Sequence, residues 1–140
     1  MAELNIVEKV IALEAVELLR NLSPDQLSRI ASIAREVTFP PQQMIIKPDK
    51  QLDALYVILE GKVALSRDGE VLHEAGQNEV LGTWALFDAE PLNVTAMTEE
   101  DTRLLRIGRD DFYDLLSDNM EITANIFAIL VKRFRQLVEA

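Results

Sequence analysis

The spacing of apolar and polar positions divides the chain into three textures. Across the first twenty residues Ile6, Val10 and Leu13, with Val7 and Ile11 beside them, recur at the three-to-four spacing of an amphipathic helix. A second helix has a sharper start, because Ser23 supplies a cap, Pro24 a first helical position, Asp25 an acid in the first turn and Gln26 a capping-box partner. Leu27, Ile30, Ala31 and Ile33 or Ala34 extend its apolar face, and the pattern carries the helix to Glu36, ahead of the Pro40-Pro41 pair that cannot continue it. From 37 to 107 the runs become short and rich in β-formers: 43–46, 55–59, 62–66, 70–73, 94–97 and 102–107. Turn signals at Pro48-Asp49, Glu60-Gly61, Asp68-Gly69, 76–78 and 89–91 separate them at intervals of about 8 to 15 residues, which favours an all-β sandwich or barrel over alternating βαβ units. Asp68-Gly69 is the strongest hairpin signal among them. Two helices then close the pattern, over 109–117 and from 120 to about 138.

The last helix is apolar over too wide an arc for a single core-facing stripe. At 100° per residue Ile122, Ile126, Phe127, Ile129, Leu130, Val131, Phe134, Leu137 and Val138 cover roughly 200°. Either the helix is deeply buried in one domain, or a second face, with Ile122, Ile126, Phe127, Leu130, Phe134 and Leu137 as its candidate residues, docks on a twin subunit or a neighbouring domain.

Composition narrows the function classes. With 140 residues, 49% hydrophobic and 27% charged, the chain can build one good core. The lack of cysteine removes disulfide scaffolds, thiolate metal sites and cysteine nucleophiles, and suits a reducing, cytoplasmic setting. The longest apolar run, 126–131, is far short of the ~20 residues that cross a bilayer, so no direct membrane insertion is expected. A net charge of -10 argues against nucleic acid as a partner. The imbalance is also local: Asp68, Glu70, Glu74, Glu79, Asp88, Glu90, Glu99, Glu100 and Asp101 fall in a stretch with no Lys or Arg.

Three runs bring a family into view: Leu22-Ser23-Pro24-Asp25-Gln26-Leu27, the stretch from Asp53 to Val63 centred on Glu60-Gly61, and Gly82-Thr83-Trp84-Ala85-Leu86-Phe87-Asp88-Ala89-Glu90-Pro91. Together they resemble the cyclic nucleotide-binding domain over nearly the whole chain. The resemblance implies a mainly β fold with flanking helices: a single domain over 1–140, helical over 1–36, an eight-stranded jelly-roll sandwich or barrel over 37–108 with a short cassette helix near 83–88, and C-terminal helices over 109–138. It also implies a phosphate-binding cassette comprising Gly82, Thr83, Trp84, Ala85, Leu92, Asn93, Val94 and Thr95.

In the family the cassette glutamate accepts from the ribose 2′-hydroxyl and an arginine after the proline pairs with the cyclic phosphate. Gly82 and Ala85 match the pattern, but the glutamate position holds Thr83 and the arginine position Leu92, followed by Asn93 and Val94 where small residues are usual. A guanidinium offers a fixed fork of donors and a permanent charge, and leucine offers neither. The resemblance therefore implies a degenerate cassette that does not hold cyclic AMP or cyclic GMP tightly, in a non-catalytic regulatory module acting through its parent chain or a homodimer formed by the C-terminal helix. No cofactor is expected. The alternative is a genuine sensor of cyclic nucleotide, or of a less anionic ligand held by Thr83, Trp84, Asn93 and Thr95. The helix-turn-helix module of bacterial transcription regulators has no counterpart in the pattern, which leaves a small standalone protein or a domain of a longer chain.

Other features have plainer explanations. Trp84 is expected to pack inward. His73, the single histidine, is expected at the surface or a strand edge, since a metal-dependent jelly roll needs two or three. Glu99, Glu100 and Asp101 read as an acidic turn, and Asp110, Asp111 and Asp114 as complements to a helix N-terminus.

Overall fold

The structure, a computed structural model, describes residues 3–88 and 93–139. Helices α1 (Ile6–Leu13) and α2 (Pro24–Ile33) are followed by eight strands: β1 (Ala34–Phe39), β2 (Met44–Ile46), β3 (Ala54–Glu60), β4 (Val63–Arg67), β5 (Glu70–Ala75), β6 (Val80–Leu81), β7 (Thr95–Thr98) and β8 (Thr102–Gly108). Helices α3 (Arg109–Asp118) and α4 (Met120–Glu139) complete the order. The strands form two antiparallel four-stranded sheets, β1-β8-β3-β6 and β2-β7-β4-β5, which is the jelly-roll architecture expected.

One local expectation needed correction. The α2 pattern predicted helix as far as Glu36, yet the helix ends at Ile33 and β1 begins at the next residue. Its six residues pair with β8, from Ala34 opposite Ile107 to Phe39 opposite Thr102, so a partner some seventy residues away overrides the local helical period. The N-terminal pattern of Ile6, Val7, Val10, Ile11 and Leu13 coincides with α1, which stops at Leu13 before a short 3-10 turn over Glu17–Leu19 that buries Leu18 and Leu19. The start of α2 is as expected: Ser23 Oγ accepts from the Gln26 amide at 3.2 Å, and Gln26 Oε1 accepts from the Ser23 amide at 3.0 Å. Asn5 and Glu8 form the same reciprocal box at the start of α1. In the β4–β5 hairpin Asp68 and Gly69 have φ of 52° and 81°, the positive pair that a tight two-residue connection needs.

Strands β3 and β8 are buried on both faces. Leu55, Val57, Leu105 and Ile107 pack under the helices with Leu13, Ile30, Phe112, Ile122 and Ile126. Their neighbours Ala54, Tyr56, Ile58 and Leu104 point into the roll with Ile46, Val63, Leu81 and Ala96. At the rim of the roll the buried Thr98 hydroxyl donates to Pro40 O at 2.6 Å and accepts from the Gln43 amide at 2.8 Å, tying β2 to β7.

The core also corrects the interface expected on α4. Ile122 and Ile126 are buried inside their own domain, together with Ile129, and are closed to any partner. Leu130 is half-buried, whereas Phe127, Phe134 and Leu137 are exposed, along with Met120, Val131 and Val138. The wide apolar arc thus serves two purposes, with one face packing on the roll and the other left bare.

Candidate ligand-binding cassette

The cassette begins where β6 leaves the β3 edge, with Tyr56 opposite Leu81 and Val57 opposite Val80. Gly82 follows at φ +75°, and a Cβ there would press on Leu52 Cδ2 and lie 3.0 Å from Ala54 O, so only glycine fits both the backbone and the space. Residues Thr83–Leu86 make one 3-10 turn closed by the Ala85 amide on Gly82 O at 2.9 Å, which buries Ala85 and Leu86 and leaves Thr83 half-exposed. Phe87 meets the buried Phe112 of α3 edge to face, with centroids 5.8 Å apart.

A residue that sequence reasoning passed over holds this turn. Arg109, the first residue of α3, donates from Nε to Ala85 O at 2.8 Å and from Nη2 to Leu52 O at 2.7 Å, with Asp88 O at 3.4 Å. Its own amide donates to Asp53 O at 2.8 Å. One guanidinium therefore joins the cassette, the approach to β3 and the start of α3. The neighbouring Arg106 is lowered in pKa by burial, but bonding to Tyr56 and the charge of Asp53, 3.2 Å away, outweigh that and raise it, so it stays a cation.

Thr83 opens onto a cleft of about 310 Å³ lined by Ala15 and Glu17 from the N-terminal segment, Asn78, Glu79 and Val80 from the approach to β6, and Arg133 from α4. Arg133 is engaged with Glu17 at 3.2 Å, and Glu79 with His73 at 2.6 Å, the latter exposed on the edge strand β5. Among the described candidates, Asn93, Val94 and Thr95 do not line this cleft. Asn93 is exposed and its carbonyl accepts from Arg67 Nε at 3.0 Å, Val94 is half-buried, and Thr95 pairs opposite Ser66 across β7 and β4. Leu92 and the side chain of Trp84 lie outside the described residues. The stretch without Lys or Arg is thus less isolated in space than in sequence, since Arg67, Arg109 and Arg133 reach it from outside. Among the described residues no three His, Asp or Glu side chains converge on a metal position, and no helix is long and apolar enough to cross a membrane.

Comparison with known proteins agrees with this geometry. Over 122 residues the chain is 25% identical to the CRP-like cAMP-activated global transcriptional regulator of Mycobacterium tuberculosis, covering 84% of this chain and 54% of that protein. It is 29% identical over 106 residues to the cAMP-dependent protein kinase regulatory subunit of Emericella nidulans, covering 74% of this chain and 26% of that one. The chain therefore spans from a quarter to about half the length of these relatives. Among solved structures, the N-terminal domain of a transcriptional regulator from Streptomyces coelicolor superposes with a TM-score of 0.85 at 26% identity, covering 92% of this chain and 96% of that domain. The family model for the cyclic nucleotide-binding domain matches residues 36–119. That match takes in the cassette, nearly all of both sheets and α3, and the chain accordingly belongs to the cyclic nucleotide-binding domain family.

Proposed function

We propose that this is a non-catalytic, cytoplasmic regulatory domain that works through protein contacts and does not hold cyclic AMP or cyclic GMP tightly. The observation that carries this reading is the charge at the cleft beside Thr83. Glu17 and Glu79 line it, and among the described lining residues the cation, Arg133, already faces Glu17. An anionic phosphate entering there meets two carboxylates and must draw Arg133 from its partner. Leu92 supplies no charge at the family's arginine position, and Arg109 is committed to backbone carbonyls. The bare face of α4 supplies the contact surface, for another domain of a parent chain or for a second copy.

A thermal-shift titration with cyclic AMP and cyclic GMP tests the first half of the reading, run beside the double variant Thr83→Glu, Leu92→Arg. A site with Kd of ~10 μM adds about 2.7 kcal/mol at 1 mM ligand, a shift of several degrees. The expected result is no shift for the natural chain and a clear one for the double variant. A clear shift for the natural chain overturns the reading and makes the domain a nucleotide sensor. The cleft itself favours a second reading, in which Thr83 and Asn78 hydrogen-bond a small uncharged ligand; a shift with nucleosides but not with cyclic nucleotides is its signature.

A further inference from the structure

Where the exit of the cassette turn meets α3 and α4 lies a further cavity, of about 170 Å³. Phe87 walls it from the cassette, Tyr113 and Leu116 from α3, and Ile126, Phe127 and Leu130 from α4. No polar atom opens onto it. The hydroxyl of Thr123, which lies against the same space, turns back to donate to Leu116 O at 3.2 Å, with Asn119 O at 3.4 Å, and offers nothing to a guest. A water molecule settles in a cavity where it has about two to four polar partners, and these walls supply none. We propose that this cavity binds a small uncharged aromatic molecule of a single ring.

Size, polarity and shape select that class. A dry cavity of ~150 Å³ lined by leucine, isoleucine and phenylalanine takes benzene in another protein, and this one is built from the same residue types with Tyr113 and Thr123 added. A guest with a formal charge would give up its water shell with no charged side chain on the walls to replace it, so an ion is rejected. A flexible chain loses internal rotations on entering, and a flat ring has none to lose. The walls also favour an aromatic ring specifically. Phe87 and the buried Phe112 already meet edge to face with centroids 5.8 Å apart, and Phe112 continues to Tyr113 at 6.4 Å. A ring seated among Phe87, Tyr113 and Phe127 extends that series, with its edge or face presented to aromatic walls.

The burial of the walls gives the cavity a direction. Ile126 is 3% exposed and closes the inner end, whereas Phe127 and Tyr113, at 60% and 42%, stand at the mouth. A ring entering between those two reaches Phe87, and so touches the cassette exit, α3 and α4 together. It holds only the arrangement in which all three are seated, and its affinity is therefore read as stability of the folded chain. The site shares no residue with the cleft beside Thr83.

Toluene is the probe, added to the full chain in sealed cells and followed by urea unfolding and by methyl NMR. A Kd of ~0.2 mM lies within reach of so small a ligand, and at ~2 mM it favours the folded state about elevenfold, which raises the urea midpoint by about 0.5–1 M at unchanged slope. Ring currents should move the methyl resonances of Leu116, Ile126 and Leu130, while those of Val80 at the Thr83 cleft and of Val7 on the exposed side of α1 stay in place. Leu130→Phe, which fills the cavity from α4, should keep cooperative unfolding and lose both responses; Leu116→Phe fills it from α3 and takes over where the first variant does not fold. A natural chain with neither a midpoint rise nor methyl shifts overturns the site, and so does a response that survives the filling variants. Tetramethylammonium giving a larger response than toluene overturns the uncharged class, and cyclohexane matching toluene at ~0.5 mM overturns the preference for an aromatic ring.

Discussion

Replacing Arg109 by methionine keeps the stem and deletes the guanidinium, which isolates what the charged fork contributes. In the folded protein that fork bonds Ala85 O at 2.8 Å and Leu52 O at 2.7 Å, and a hydrogen bond involving a charged group is worth about 1.5–3 kcal/mol net. Two such bonds bound the loss at about 3–6 kcal/mol, but Arg109 is half-exposed and water can reach part of what it leaves behind. A loss of about 2–3 kcal/mol is expected. In a domain of this length each kcal/mol moves Tm by about 3–4 °C, so melting followed by far-UV circular dichroism should fall by about 6–12 °C. Arg109→Lys should recover only part of this, since an ammonium is a point donor that cannot span the two carbonyls as the planar fork does. Urea unfolding should show a lower midpoint at unchanged slope, because the surface exposed on unfolding is the same. A Met variant melting within 1 °C of the natural chain, or a Lys variant equal to it, would refute the clamp.

Two further substitutions probe the roll and the cassette hinge. Thr98→Val keeps the shape but leaves the Gln43 amide and Pro40 O without their partner at a part-buried rim that water can reach, for an expected loss of about 1–2 kcal/mol in urea unfolding; Thr98→Ser, which keeps the hydroxyl, should stay within about 1 kcal/mol of the natural chain, and equal stability of Val and Thr would remove the role given to the hydroxyl. Gly82→Ala combines left-handed backbone, about 1–2 kcal/mol, with contacts on Leu52 and Ala54 O, and about 2–4 kcal/mol of destabilisation is expected; a neutral result would show that the cassette can open away from β3.

What could be read from the chain depended on whether the cause was local. The capping box at Ser23 and Gln26, the Asp68-Gly69 hairpin and the glycine that opens the cassette each depend on a few adjacent residues, and each is where the sequence placed it. The end of α2 was hidden because nothing between Ile33 and Ala34 breaks a helix, and what ends it is pairing with β8. Strand β6 was hidden because two residues make no period, and only their partners on β3 define them. Arg109 read as an ordinary helix-opening residue because its partners are backbone carbonyls, which leave no trace in side-chain identity. On α4 the width of the apolar arc was legible, but its division was not. Which isoleucines turn inward is set by how the helix lies on the roll, and Ile122 and Ile126 fell on the inner side.

The direct passage of α2 into β1 has a counterpart at the same end of the ladder, where Ala34 lies opposite Ile107 and β8 passes through Gly108 into α3 without a loop. Two paired strands thus run straight into two helices, and the helices pack on one core with the outer residues of that sheet. Neither helix can lift away without unravelling a strand end or breaking the amide of Arg109 from Asp53 O. Amide hydrogens of α2, β1, β8 and α3 are therefore expected to exchange with solvent through one shared opening, while the exposed β4–β5 edge exchanges by separate and cheaper fluctuations. In mechanical terms the helical cap and its sheet form one foldon, and the give in the molecule lies across the roll from it.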